Sequence, residues 1–164
     1  MPTSLSVTHD FAAPPATVYQ LLTDRAFLER RLAETGGIDP AVVSLDVDGA
    51  AAKVVTRQSI PSSALPSMVA SMIPGDPVTE RTEEWHTDGE SHVAPFTVVI
   101  KGAPATLKGT MTLAPSGAGS TLSVEGQAHV PIPMFGGKIE GIVVEQVTAL
   151  LNREADYTAA ALTS

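Results

Sequence analysis

Two adjoining stretches decide the fold, residues 105–130 and residues 135–162, which read ATLKGTMTLAPSGAGSTLSVEGQAHV and FGGKIEGIVVEQVTALLNREADYTAAAL. The first alternates apolar and polar residues on both sides of a Ser-Gly turn, which is the pattern of two neighbouring strands that each bury one face. The second repeats apolar residues at helical spacing and is the longest helix candidate of the chain. Together they predict a long helix whose apolar stripe lies on the inner face of a sheet.

Further strands and two short helices are predicted before these stretches. Turn residues join the consecutive strand signals, so sequence neighbours are expected to pair antiparallel. The predicted strands are residues 5–11, 43–48, 54–60, 78–86, 92–101, 105–113 and 121–130, and the predicted short helices are residues 16–24 and 26–34. The sequence therefore predicts an α+β fold, in which a curved antiparallel sheet of about seven strands wraps around a long C-terminal helix.

Composition restricts the classes of function. The chain has 164 residues, enough for one hydrophobic core, so a single domain over residues 1–164 is expected. It has no cysteine, which excludes disulfides, a thiolate nucleophile and cysteine-ligated zinc. Its 10 Lys and Arg residues oppose 18 Asp and Glu residues, and the net charge of -8 makes nucleic acid a poor partner.

The distribution of charges and prolines bears on location. No basic region followed by an apolar block opens the sequence, and charges or prolines interrupt every long apolar window. These patterns predict a cytoplasmic protein without stable membrane insertion.

The predicted inner face has small side chains. The whole chain has only four Phe, two Tyr and one Trp, although aromatic side chains usually fill the widest gaps in a core. We therefore expect unfilled volume between sheet and helix that accepts a small apolar ligand, although ordinary core packing of the same residues remains the alternative. The predicted ligand-binding residues are Trp85, Phe96, Val98, Ile100, Met111, Leu113, Val124, Ile142, Val143, Gln146 and Leu150.

Three polar residues stand out near this face. Gln146 interrupts the apolar stripe of the long helix and needs a partner there, which could be a water, a side chain or an oxygen atom of a ligand. Arg81 and Glu83 share strand parity with Trp85, so an inward Trp85 would bring both charges inside as possible polar contacts. The alternative is that Trp85 packs on a neighbouring element and both charges remain in water.

Residues 62–74 interrupt the strand pattern, because they are apolar, uncharged and bracketed by prolines. This composition suits a short helix or an ordered loop better than a strand. At helical spacing Leu65, Met68, Val69 and Met72 share one side, and methionine gives such a surface flexibility. The segment is predicted to be a lid over the cavity entrance or a patch for transient contact with a membrane or a partner, or else packed core.

Signals for catalysis and metal binding are weak. The sequence has no nucleophile elbow, glycine-rich phosphate loop or HExxH pattern. Residues 136–138 could receive an anion at the start of the long helix, but the glycines there also permit a sharp entry into it. His86 and His92 with Glu84 or Asp88 could be imagined as zinc ligands, but their spacing is not a recognised one. No metal and no cofactor are predicted.

Two short motifs carry a resemblance to a known superfamily. Residues 11–24, FAAPPATVYQLLTD, resemble the opening of the START-like (SRPBCC) superfamily, in which a strand ends at a proline and a helix with a Val-aromatic pair closes at an Asp. Residues 133–140, PMFGGKIE, are similar to the signature of an uncharacterised and mostly actinobacterial branch, a domain of unknown function. The resemblance covers essentially the whole chain, and it implies the helix-grip fold.

The resemblance also implies a cavity between sheet and helix, but it fixes no single activity, since the superfamily includes lipid-transfer proteins, allergen-type carriers and polyketide cyclases. Binding or transport of a lipid, an isoprenoid or a polyketide-like molecule is the leading expectation. A polyketide cyclase-type enzyme that uses Arg81, Glu83 and Gln146 is one alternative. A protein-interaction domain with an incidental cavity is the other.

Overall fold

The computed structural model describes residues 2–65, 67–71, 73 and 75–163. Its seven-stranded antiparallel sheet has the order β1-β7-β6-β5-β4-β3-β2. The strands are β1 (Thr3–Phe11), β2 (Ile38–Asp48), β3 (Ala51–Ser59), β4 (Val78–Asp88), β5 (Ser91–Ile100), β6 (Ala105–Ser116) and β7 (Gly119–His129). The α-helices in the described residues are α1 (Pro15–Leu22), α2 (Arg25–Thr35), α3 (Ser67–Ala70) and α4 (Gly136–Thr163), and a short 3-10 helix spans Ser62–Ala64. The predicted fold class is confirmed.

Local sequence explains where the two early helices begin. Pro15 opens α1, where its missing N–H has no intrahelical partner to lose. Asp24 caps α2, because its Oδ2 accepts a hydrogen bond of 2.9 Å from the backbone N–H of Phe27. These two residues set the starts of α1 and α2, and both helices directly follow β1, as the sequence predicts.

Strand β2 is longer than predicted. It begins at Ile38 rather than at residue 43, and its pairing with β3 shifts register between Ile38 and Ala41 and again between Val42 and Ser44. Each shift interrupts the alternation of buried and exposed side chains. The sequence pattern therefore reveals only the regular second half of this strand.

Rows of paired residues cross the inner face of the sheet. In one row Ala94 of β5 pairs with Met111 of β6, Met111 pairs with Val124 of β7, and Val124 pairs with Val7 of β1. All four are buried, as is Leu113 two residues beyond Met111. The inward parity predicted for these strands is therefore confirmed.

The aromatic ring of Phe96 lies against one of the glycines of this face. Phe96 pairs with Gly109, which pairs with Gly126. A Cβ atom built at Gly126 would lie 3.3 Å from Cζ of Phe96, so the ring occupies the space that the missing side chain leaves. The space beside Gly126 is thus filled by the protein itself.

Helix α4 is fixed to the sheet near its N-terminus. Glu140 is buried there, and its Oε2 accepts a hydrogen bond of 2.9 Å from the backbone N–H of Val130. Its Oε1 accepts a second hydrogen bond of 3.1 Å from the hydroxyl of Thr3 on β1. This carboxylate joins the start of α4 to the first and last strands and so sets where the helix crosses the sheet.

Within the described part of the chain, no helix combines the length and the apolar character needed to cross a membrane.

Candidate functional site

Three cavities follow one another along α4, between the helix and the sheet. The first lies at the N-terminal half of α4 and has a volume of about 80 Å³. Its walls are almost entirely apolar and include Val98 and Ile100 of β5 and Ile142 and Val143 of α4. The loop at residues 102–104 forms part of its rim.

The second cavity adjoins the first and has a volume of about 100 Å³. Its walls are more polar, because they include Arg81, Arg153 and Glu154 beside the apolar Leu150. Gln146 lines both cavities and forms no hydrogen bond within the described residues. The two cavities together exceed the roughly 150 Å³ that holds benzene in an engineered protein core.

The third cavity lies near the C-terminal end of α4 and measures about 30 Å³. His9, Glu83 and Trp85 face it, and Nε2 of His9 is buried with no hydrogen-bond partner among the described residues. A space of this volume with several polar groups on its walls suits water molecules rather than an apolar ligand.

A buried network of charges separates the second and third cavities. Nη2 of Arg81 donates to both carboxylate oxygens of Glu154, at 2.8 and 3.0 Å. Nη2 of Arg31, on α2, lies 3.4 Å from the same Glu154 carboxylate. The network therefore ties α2 and β4 to the C-terminal half of α4.

The other side of Arg81 faces Glu83. Nε of Arg81 lies 3.0 Å from Oε2 of Glu83, but its N–H does not point at that oxygen, so the contact is an ion pair without a hydrogen bond. Oε1 of Glu83 accepts a hydrogen bond of 3.0 Å from the indole N–H of Trp85. The carboxylates of Glu83 and Glu154 thus both compensate the buried guanidinium of Arg81.

The network keeps Arg81 and Glu154 ionised. Burial favours the neutral form of Glu154, but the charges of Arg81 and Arg31 and the hydrogen bond from Arg81 outweigh it and lower the pKa of Glu154. Burial likewise opposes the charge of Arg81, but Glu154 and Glu83 outweigh it and raise the pKa of Arg81. Neither Glu154 nor Arg81 changes protonation near neutral pH.

The predicted site residues divide by location. The first cavity is lined by Val98, Ile100, Ile142, Val143 and Gln146, the second by Val98, Gln146 and Leu150, the third by Trp85, Met111 and Val124, and the packed core holds Phe96 and Leu113. Contact of any of them with a ligand stays a prediction.

The inward orientation of the Trp85 face is confirmed, since Trp85, Arg81 and Glu83 are all buried. Sequence reasoning missed Glu154 and Arg31, which complete the network. A signal for Glu154 existed, because it lies four residues after Leu150, at the same helical spacing that singled out Gln146.

A match to a family model decides what the chain is related to. The family described as "Protein of unknown function (DUF2505)" matches residues 6–162. The chain belongs to this family. An uncharacterized protein of Mycobacterium tuberculosis, Rv0481c, is 30% identical over 166 aligned residues that cover 96% of this chain and 95% of that protein.

Solved structures with low sequence identity share the fold of this DUF2505 member. TTHA0849 from Thermus thermophilus has a TM-score of 0.62 at 21% identity and covers 97% of this chain and 99% of its own. The Zhui aromatase/cyclase from Streptomyces has a TM-score of 0.58 at 11% identity, with coverage of 96% and 94%. These likenesses confirm the helix-grip fold.

The predicted lid is only partly described in this DUF2505 chain. Leu65 and Ile73, near the two ends of the segment, line the first cavity. Met72 and the side chains of Met68 and Val69 lie outside the described residues. Closure of the cavity by this segment stays a prediction.

The histidines of the β4–β5 hairpin lie on opposite faces of the sheet. His86 is exposed, whereas the ring of His92 is buried and stacks on Tyr19 with 4.3 Å between ring centroids. Burial lowers the pKa of His92. The two imidazoles cannot share one metal ion, and no group of three or more His, Asp or Glu residues in the described parts could hold one.

The start of α4 has a steric reason for its first glycine. A Cβ atom at Gly136 would lie 2.2 Å from the carbonyl oxygen of Val130. Of the two interpretations of residues 136–138, this contact supports the sharp entry into the helix.

Proposed function

We propose that this protein binds a small apolar ligand in the first cavity and in the adjoining part of the second. The observation that carries the proposal is the first cavity itself, about 80 Å³ of space with aliphatic walls that the described side chains do not fill. Protein interiors are close-packed, and unfilled apolar space costs stability unless something occupies it.

Partial exposure along α4 supports this location. Ile142, Gln146 and Leu150 project toward the sheet but are only half-buried, whereas Val143 and Leu151 on the same helix are buried. A ligand in the two cavities would cover this remaining surface. Burial of apolar area of this kind is the main driving force for binding such molecules.

A polyketide cyclase-type reaction is the second candidate, because ionisable groups do line the second cavity. Catalysis by acid and base needs a group whose pKa lies near the working pH. Glu154 and Arg81 are instead held in their charged forms by their mutual ion pair. Binding is therefore favoured over catalysis.

The test fills the first cavity from within. Titration of the wild-type protein with the uncharged fluorescent probe 1-aminoanthracene is expected to show a saturable increase in the fluorescence of the probe. Addition of 1-decanol is expected to displace the probe and reverse this increase. Ile142→Trp places an indole in the cavity, and we expect it to weaken 1-decanol binding by about tenfold or more, which corresponds to ~1.4 kcal/mol.

Asn152→Trp is the matched control, because Asn152 is exposed on the same helix and lines none of the three cavities. It adds the same ring outside the site and is expected to leave binding unchanged. Absence of saturable binding to the wild type, or equal binding by Ile142→Trp with a native circular dichroism spectrum, would contradict the proposal.

A further inference from the structure

The charged side chains that line the second cavity include one more cation than anions. Its walls hold two guanidinium groups, Arg81 and Arg153, and one carboxylate, Glu154. Arg31 pairs with Glu154, and Glu83 pairs with Arg81. Counting this additional cation and this additional anion leaves the excess of one positive charge unchanged. Arg153 provides it: its charge also acts on Glu154, but no carboxylate of the described residues lies within 4.0 Å of its side-chain nitrogens.

This local excess is notable in a chain whose net charge is -8. Arg81 and Glu154 form a close ion pair, so their charges largely cancel at a distance. Arg153 is exposed where the second cavity approaches the surface near Gly37 and Pro61. An anion that reached this point would meet a cation that has no close ion-pair partner among the described residues.

The order of residues along α4 gives the two adjoining cavities an apolar end and a polar end. The first cavity is apolar, Gln146 stands where the cavities meet, and Arg153 follows two helical turns later. The amide of Gln146 has both a donor and an acceptor without a hydrogen-bond partner in the described residues. A molecule with an apolar body in the first cavity would therefore meet polar groups only at its other end.

We infer that the second cavity is the headgroup subsite for the carboxylate of an amphipathic monoanion whose apolar body occupies the first cavity. The inference rests on the proposed function and adds the chemical class and orientation of the ligand. One negative charge balances the excess, and the planar fork of an arginine matches the two oxygens of a carboxylate. An uncharged end would leave Arg153 unmatched, and a cationic end would increase the excess.

The test compares two probes of equal chain length, decanoic acid and 1-decanol, by isothermal titration calorimetry at low salt and pH 8. The exposed position of Arg153 allows Arg153→Gln without loss of a core contact. This substitution is expected to weaken decanoate binding by about three- to tenfold and to change 1-decanol binding by less than about twofold. Raising the salt from about 20 to about 200 mM is expected to weaken decanoate selectively.

Lys108→Gln is the matched control, since Lys108 is an exposed cation on the outer face of β6 and the substitution changes net charge equally. It is expected to leave both affinities unchanged. If 1-decanol binds but Arg153→Gln affects both probes equally or neither, the headgroup inference is overturned while the proposed function stands. If neither probe binds the wild type, both fall.

Discussion

Glu154 is the residue on which the buried charges depend most. Its carboxylate is nearly inaccessible and contacts both Arg81 and Arg31, which come from different elements. Removal of one partner from a buried ion pair is strongly destabilising, because the remaining charge stays out of water without compensation. The stability of the interior is therefore sensitive to this single side chain.

Glu154→Gln is expected to lower the free energy of unfolding by about 3 kcal/mol, because two guanidinium groups lose their shared counter-charge. Urea unfolding followed by circular dichroism at pH 7 measures the change. Glu145→Gln, at an exposed position of the same helix, provides the control and should shift stability by less than about 0.5 kcal/mol. Equal effects of the two substitutions would show that the buried network contributes nothing particular.

The residues of this network show how far sequence reasoning reaches. Strand alternation places Arg81 and Glu83 with Trp85 on one face, but alternation alone does not say whether that face is buried. The partner that settles it, Glu154, is 73 residues away from Arg81 in the chain. Such a pairing depends on where α4 crosses the sheet, which no local pattern records.

At the scale of elements, the start of α4 is a tightly constrained junction. Gly136 packs against the carbonyl oxygen of Val130, and Glu140 binds the N–H of the same residue. Gly141, five residues further on, has no atom within 4 Å of the place where a Cβ would lie. The same substitution at these two glycines should therefore act in opposite directions.

Gly136→Ala is expected to destabilise the fold by about 1–3 kcal/mol, since the backbone must shift to accommodate a methyl group. Gly141→Ala is expected to stabilise it by up to about 1 kcal/mol, because alanine is more favourable than glycine in the interior of a helix. Thermal unfolding of both variants measures the difference. A destabilised Gly141→Ala or an unaffected Gly136→Ala would show that the junction is not as tight as described.

Elements with strong periodicity were predictable and irregular ones were not. The long helix and the inner faces of β6 and β7 follow from spacing alone, because burial on one side enforces a period. The first half of β2 was missed because its two register shifts erase that period. The cavities depend on fine packing, and Phe96 illustrates this, because it fills the space above Gly126 that composition suggested would be open.

At the scale of the whole molecule, acid acts on groups in three places at once. The backbone N–H of Val130 and the hydroxyl of Thr3 lower the pKa of Glu140 despite its burial, and the guanidinium groups lower that of Glu154. Burial lowers the pKa of His92. In all three cases the unfolded chain binds a proton more readily than the folded chain, so stability rises with pH across the window between the two pKa values.

The free energy of unfolding is therefore expected to be level between about pH 7 and about pH 8, to decline slightly below the ordinary histidine pKa of 6.5, and to fall steeply below the ordinary carboxyl value of 4.5. Urea titrations from about pH 8 to about pH 3 in about 0.2 M salt measure it, since salt screens the general repulsion of a chain with net charge -8. Glu140→Gln should reduce the steep fall, His92→Phe should remove the shallow one, and Glu145→Gln should alter neither. Stability that increases on acidification below pH 4.5 would mean that the folded chain does not hold the carboxylates of Glu140 and Glu154 ionised. The assignment of a negative charge to Glu154 in the wall of the second cavity would then be wrong.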